Sequence, residues 1–387
     1  MKVSKVSLLL ILLFTITLVP LVNAQFHAGG QGLMYTHSAR TLEKGGLNAF
    51  FHSRFFGKGI EYVSGPLTIW DVQGSFALTY GLSNRVEITF QPIIYQDDAL
   101  VNSNIPDDLF FKLKIGSLGS AASKFKYGAL VTTRIPLAER HNVLYEPYSA
   151  GSFEVGFTGL SSYASDVLFP NESLNAHFNL GFNLHNDSGS GLNKLLPDSL
   201  ENKGTSSSLN FAVGVGQPYD KWNVSAEVHG SFFVQKPPVS AYSRESFVYF
   251  TPGVSYQLFD WVQLNVAADL LLTSGEDATD YNFVTKPFSE LPDSYPTWRI
   301  NTGVKFNILS ASYNQGSERD ILVRKAETRR DVFEQIVREQ RETEKAEKEL
   351  TRIKEERLKA EQELERLRKL LEGDGSKKSD KKKNDSN

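Results

Sequence analysis

The chain has 387 residues, enough for one large domain and an appendage. Its formal net charge of -3 provides no global attraction for nucleic acid, so no nucleic-acid partner is expected, and the absence of cysteine excludes disulfides, thiolate metal sites, thiol catalysis and a lipid-anchored lipoprotein. Aromatic residues make up 12% of the chain, 26 of them Phe, yet mean hydropathy is only -0.29, a combination suited to sheets that are apolar on one face.

Lys2 and Lys5 precede an almost wholly apolar run from Val6 to Val22, and Val22-Asn23-Ala24 has the small-residue form of a cleavage site. Residues 1–24 are therefore expected to be a signal peptide, with an uncleaved anchor as the competing reading. Residues 25–44 are expected to form an N-terminal periplasmic segment. Beyond Gln25 no apolar run reaches the ~18 residues of a transmembrane helix, so a mature chain that crosses a membrane must do so as a closed barrel.

From about residue 45 to 309 apolar side chains recur with period two. Leu174, Ala176, Phe178, Leu180, Phe182 and Leu184 alternate with Asn175, His177, Asn179, Gly181, Asn183 and His185. A period of two sends these sets to opposite faces of a strand. About twelve such segments are expected, at 46–56, 67–80, 85–96, 108–116, 125–137, 152–165, 174–186, 205–216, 222–235, 246–258, 262–273 and 297–309. Most have the ~10 residues a tilted membrane strand requires. Short connections such as 81–84 and 217–221 alternate with longer polar ones such as 57–66 and 187–204, as at the two rims of an outer-membrane barrel. An even strand count puts both ends of the barrel on the periplasmic side. Trp70, Tyr80, Tyr95, Tyr127, Trp222, Tyr256, Trp261 and Trp298 fall near strand ends, where amphipathic rings meet lipid headgroups. The first segment, with Phe50, Phe51, Phe55 and Phe56, fits the alternation poorly.

The pattern changes near Ser310. Residues 310–320 form a polar linker, and 321–372 lack Gly and Pro and are rich in charge. Ile336, Leu350, Ile353, Leu364, Leu367 and Leu371 keep a 3-4 spacing, interrupted by Glu339, Thr343 and Arg357. The expectation is a periplasmic α-helical coiled coil, stopped at Gly373-Asp374-Gly375 and followed by a disordered charged tail at 373–387. Such a helix serves either self-association or docking on a periplasmic helical partner, or stands alone as a solvated charged helix.

The segment Gly45–Phe56, the run Leu78–Ile88 with its Tyr80-Gly81-Leu82-Ser83 turn, and the repeated strand–turn–strand rhythm resemble bacterial outer-membrane β-barrel proteins, both porin-like channels and OmpA-like barrels. The resemblance covers about residues 25–309 and implies an all-β transmembrane barrel of about twelve antiparallel strands, seated in outer-membrane lipid. OmpA-like proteins carry a peptidoglycan-binding domain after the barrel. Here a charged helix follows instead, so that activity is not carried over.

The lumen is the one candidate site with a physical argument behind it. Lys112, Lys114, Lys126 and Arg134 face inward on the fourth and fifth strands, and Glu227 and Asp269 stand roughly across the barrel. Glu154, His229, Arg299 and Lys305 also fall on the inward face, and His177 and His185 belong to an Asn-rich polar stripe. Opposed basic and acidic walls would orient polar solutes in a pore, whereas the same groups paired would plug a narrow lumen. His177 and His185 are ~26 Å apart on one strand, too far to share an ion, and no nucleotide or metalloenzyme motif is present, so neither metal nor cofactor is expected. Three functions follow: a passive channel for small polar solutes, a structural anchor with a plugged barrel, and, third, an outer-membrane lipid hydrolase.

Overall fold

The computed structural model describes residues 30–62, 65–99, 104–120, 123–167, 169–187, 204–273, 277–280, 295–309 and 318–379. The expected signal peptide, the linker at 310–317 and the tail beyond 379 lie outside these described residues.

The alternating segments become β1 (Leu47–Tyr62), β2 (Gly65–Ser83), β3 (Val86–Asp98), β4 (Leu109–Leu118), β5 (Phe125–Ile135), β6 (Glu154–Ala164), β7 (Asn175–Asn186), β8 (Thr205–Tyr219), β9 (Trp222–Gln235), β10 (Phe247–Phe259), β11 (Val262–Leu271) and β12 (Trp298–Leu309). Each strand pairs antiparallel with its sequence neighbours, and β1 pairs with β12 to close the barrel. Closure removes every unpaired edge, the condition that lipid imposes on a sheet. Tight turns join β2 to β3, β8 to β9 and β10 to β11 at one rim. Leu47 and Leu309, the start of β1 and the end of β12, are register partners at that same rim.

Alternation decides which face meets lipid. On β7, Phe178 is 46% exposed while its neighbour Asn179 is 4% exposed. Burying such apolar faces in a bilayer is worth ~25 cal/mol per Å². Tyr80, Tyr127, Trp222 and Trp261 are exposed near the short-turn rim, and Trp222 packs on Tyr256 with ring centroids 4.5 Å apart. The first strand obeys the same alternation. Phe51 and Phe55 point outward, whereas Phe50 and Phe56 are buried inside. Phe50 packs with Met34 and Ala77, and Phe56 with Ile69, Leu144, Tyr145 and Tyr242. Inward aromatics are expected only where something other than water fills the lumen.

The main departure from the expected bounds is the first hairpin. Residues 57–66 read as a polar loop, but β1 and β2 stay in register to Tyr62↔Gly65. Backbone pairing alone sustains this extension, so the apolar alternation that marks lipid-facing strands is not needed there.

The helix α1 spans Glu318–Ser379 and forms a compact unit of its own. It runs through Gly373 and Gly375, where a stop was expected. Glycine within a helix costs only ~1 kcal/mol relative to alanine, so two of them need not end it. Ion pairs four residues apart support it, including Glu365–Lys369 at 3.2 Å and Arg357–Glu361 at 2.9 Å. Leu350, Ile353, Leu364 and Leu367 are all more than half exposed, and Ile336 is partly buried. The side chain of Leu371 lies outside the described residues.

Candidate functional site in the barrel lumen

The segment expected in the periplasm, residues 25–44, lies inside the barrel over its described part. Residues 33–36 form a tight turn, with Leu33 N–H donating to Thr36 O at 2.8 Å. The turn presents three successive backbone N–H groups, from Met34, Tyr35 and Thr36, to the Glu227 carboxylate on β9 at 2.6, 2.8 and 2.7 Å. The Thr36 hydroxyl donates to the same carboxylate at 2.7 Å. The Tyr35 ring stacks on His229 at 3.8 Å, and its hydroxyl donates to Asp269 at 2.7 Å. Asn179 on β7 clamps both backbone groups of His37, accepting at 2.6 Å and donating at 2.8 Å. Ala39 N–H donates to Ser162 on β6, which also bonds His177. Lys114 donates to Ser38 O, and Leu42 N–H donates to Glu87 on β3 at 2.7 Å. The segment therefore sweeps around the inner wall from β9 to β3 and then enters β1.

The wall is shaped for this path. A Cβ at Gly116 would meet Ala39 O at 2.3 Å, and one at Gly214 would meet Leu33 Cδ1 at 2.7 Å. Inward glycines on β4 and β8 thus admit a backbone at close approach. Every polar backbone group of a buried segment needs a partner, and the inward side chains supply them.

At the opposite rim the loop 136–153 folds inward. Glu146 binds Arg54 of β1 and accepts from Gln73 at 3.1 Å. Arg134 donates to Asp108 at 2.6 Å and to Tyr148 O at 3.2 Å. Ala150 N–H donates to Glu154 at 2.7 Å, and Glu154 pairs with His185 at 2.9 Å. Burial draws the Asp108 carboxyl upward, but Arg134 and His141 beside it hold it below its ordinary value. Burial and the neighbouring Asp108 push Asp107 up to about 7.

Between segment and loop lies a chamber of about 340 Å³, with Tyr35 and His37 on one side and residues 140–147 on the other. Lys112 and Arg134 line it, with Gln73, Gln91, Thr132, Asn183 and Asn210 among the polar neighbours.

All twelve luminal residues singled out from the sequence face inward, but they do different things. Lys114, His177, Glu227, His229 and Asp269 hold or line the N-terminal segment. Arg299 pairs with Asp269 at 3.0 Å. Glu154, His185 and Arg134 hold the loop. Lys126 donates to Ser120 O near the short-turn rim, and Lys305 is buried on β12. The expected opposition of a basic wall and an acidic wall is not found. Lys114 pairs with Glu87 at 2.6 Å on the adjacent strand, and Asp269 pairs with Arg299 next door. Charges inside a low-dielectric lumen are cheapest when neutralised at hydrogen-bond distance, so they pair locally. Glu87, Arg54 and Glu146 escaped the sequence reading, although alternation along β1 and β3 places the first two inward. Among the described residues no group of His, Asp or Glu is arranged to hold a metal ion.

The Asp107 shift sets a pH dependence. The folded state retains a proton that the unfolded chain releases, so the stability of the connection before β4 falls as pH rises from about 4 through about 7. Asp107→Asn is expected to flatten that slope. Hydrogen exchange of residues 104–108 across this pH range is the check, and an unchanged slope would refute the assignment.

A closed antiparallel barrel with an apolar exterior, an aromatic belt and a polar interior defines the chain as a bacterial outer-membrane β-barrel protein. No family model matches the chain, and no curated protein matches it. Among solved structures it is similar to an outer-membrane channel from Pseudomonas putida F1, with 10% identity, a TM-score of 0.43, and coverage of 69% of this chain and 97% of that one. It is also similar to the NanC porin (9%, 0.42, 68% and 100%) and to the translocator domain of the autotransporter NalP from Neisseria meningitidis (10%, 0.36, 67% and 88%). Likeness at this level carries nothing about solute or gating.

Proposed function

We propose that the barrel is a channel for small polar solutes, narrowed by its own N-terminal segment. The observation that carries this is the chamber of about 340 Å³ between that segment and the inward loop, lined by charged and amide side chains among apolar ones. A merely structural barrel has no need of a charge-lined void, whereas selective pores place such constrictions on the solute path. Planar-bilayer recording tests it. Absence of conductance both in the full chain and in a chain lacking residues 30–41 removes the channel reading. The dense hydrogen bonding of the segment favours a second reading, a plugged structural anchor, and the same recording separates the two.

We further infer that the helix lies in the periplasm, since short turns face that side in barrels of this kind, and that its seam, exposed at Leu350, Ile353, Leu364 and Leu367, suits self-association or a helical partner. Deleting residues 321–387 is expected to leave the heat-modifiable barrel intact and to abolish cross-linked oligomers or partner capture. Unchanged cross-linking would refute that role.

A further inference from the structure

On α1, Ala346, Ile353, Ala360 and Leu367 recur every seven residues, and Leu350, Arg357 and Leu364 recur beside them. These are the d and a positions of a heptad, and all seven side chains are exposed. Thr343, one heptad earlier, fits the same seam, because its hydroxyl donates to Glu339 O at 2.9 Å within its own helix and needs no partner across an interface.

The flanking charges select a direction. The g position, just before each a, is Glu at 342, 349, 356 and 363. An antiparallel pair sets g against g, so it opposes Glu to Glu in every register that overlaps these positions. A parallel pair sets each g residue against the e residue five positions later on the other helix. Glu349 then meets Lys354, and Glu363 meets Arg368, both attractive. Glu342–Glu347 and Glu356–Glu361 repel, but Arg357 stands beside the second of these pairs. The chain favours the same direction. Only residues 310–317 separate the end of β12 from the start of α1, and copies inserted in one membrane carry that junction on the same side.

Arg357 also limits the number of strands. In a two-stranded coil its long stem lets the guanidinium leave the seam and reach Glu356 of a second copy. A three- or four-stranded core would enclose it, and desolvating a charge can cost more than its pairing returns. Leu350 at a and Ile353 at d by themselves favour more than two strands, so Arg357 is the deciding residue. In the single chain it bonds Glu361 at 2.9 Å with both side chains exposed, a pairing that is cheap to exchange.

We propose that α1 pairs with α1 of a second copy of this chain as a parallel, in-register, two-stranded coiled coil over residues 346–367, joining two barrels. The inference rests on the association reading of the helix and commits it to one occupant.

The chain has no cysteine, so a single one introduced on the helix reports only its own neighbours. Ala346→Cys and Ala360→Cys place a thiol at two d positions two heptads apart with little change in side-chain volume. Gln362→Cys places one on the opposite face. Full-length protein is oxidised in outer membranes and read on a non-reducing gel. Each seam variant is expected to give at least ~5-fold more disulfide dimer than Gln362→Cys. An antiparallel pair brings a residue opposite itself at one position only, so dimer at both sites upholds the parallel arrangement. Dimer at one site alone, or at neither while amine cross-links still depend on the helix, overturns the proposal and leaves the association reading standing. Absence of any helix-dependent amine cross-link removes both. Arg357→Leu is expected to shift the amine-cross-linked species from two copies to three or more, and an unchanged dimer overturns the role given to Arg357.

Discussion

Removing residues 30–41 is expected to raise single-channel conductance by roughly threefold or more. These residues cross the lumen from β9 to the mouth of β1, and their backbone occupies space that a twelve-stranded wall would otherwise leave to water. Eight strands enclose an interior that side chains alone can fill, whereas a larger barrel must be plugged or wet. The deletion spares the wall, because strand pairing is complete around the barrel without the segment. The groups it uncovers, Glu227, Asn179 and Asp269, are charged or amide side chains that water solvates readily. The check is paired recording of full-length and shortened protein in the same lipid and salt. Equal conductance would mean that the segment does not limit flow, and the constriction would have to be sought in the loop 136–153.

The second large effect concerns the tip of that segment. Glu227→Leu takes the acceptor from three backbone N–H groups and one hydroxyl at once. Each buried donor left unsatisfied costs ~1–3 kcal/mol, so the turn at 33–36 is expected to leave the wall rather than stay unpaired. Residues 33–37 should lose most of their amide protection in hydrogen exchange, while the barrel's thermal transition changes little. Glu227→Gln keeps one acceptor oxygen and should fall between the two. Wild-type protection of residues 34–36 in the Leu variant would show that Asn179 and Asp269 suffice to hold the segment, and that the carboxylate is incidental.

These two results bear on one question, whether the chamber is a station on a path or a sealed void. Release of the tip opens the chamber toward the short-turn rim, because Tyr35 and His37 form its wall on that side. The opposite wall is made by the loop, anchored through Glu146 to Arg54, through Tyr148 O to Arg134 and through Leu137 N–H to Asp108. Arg54 and Arg134 stand on strands, so these bonds join a loop, the more mobile type of element, to the rigid wall.

Period two along each strand pointed to a closed barrel of about twelve strands, because lipid accepts only apolar side chains and every backbone group must pair within the sheet, but it left the edges loose, most of all in the first hairpin, where pairing runs on to Tyr62↔Gly65. That reasoning placed all twelve residues from Lys112 to Lys305 on the inward face, but it did not reach Phe50 and Phe56, apolar residues that turn inward against partners such as Met34 and Tyr145. What fills the lumen was decided only by tertiary structure. Residues 30–44 have no periodicity, and their conformation comes from partners such as Glu227 and Asn179, which stand more than a hundred positions away. The inward glycines at 116 and 214 were visible in the sequence, but their meaning depends on a backbone lying against them. Charge pairing was likewise hidden, because Lys114 chooses Glu87 and Asp269 chooses Arg299 by cross-strand proximity, a matter of register that alternation alone does not specify.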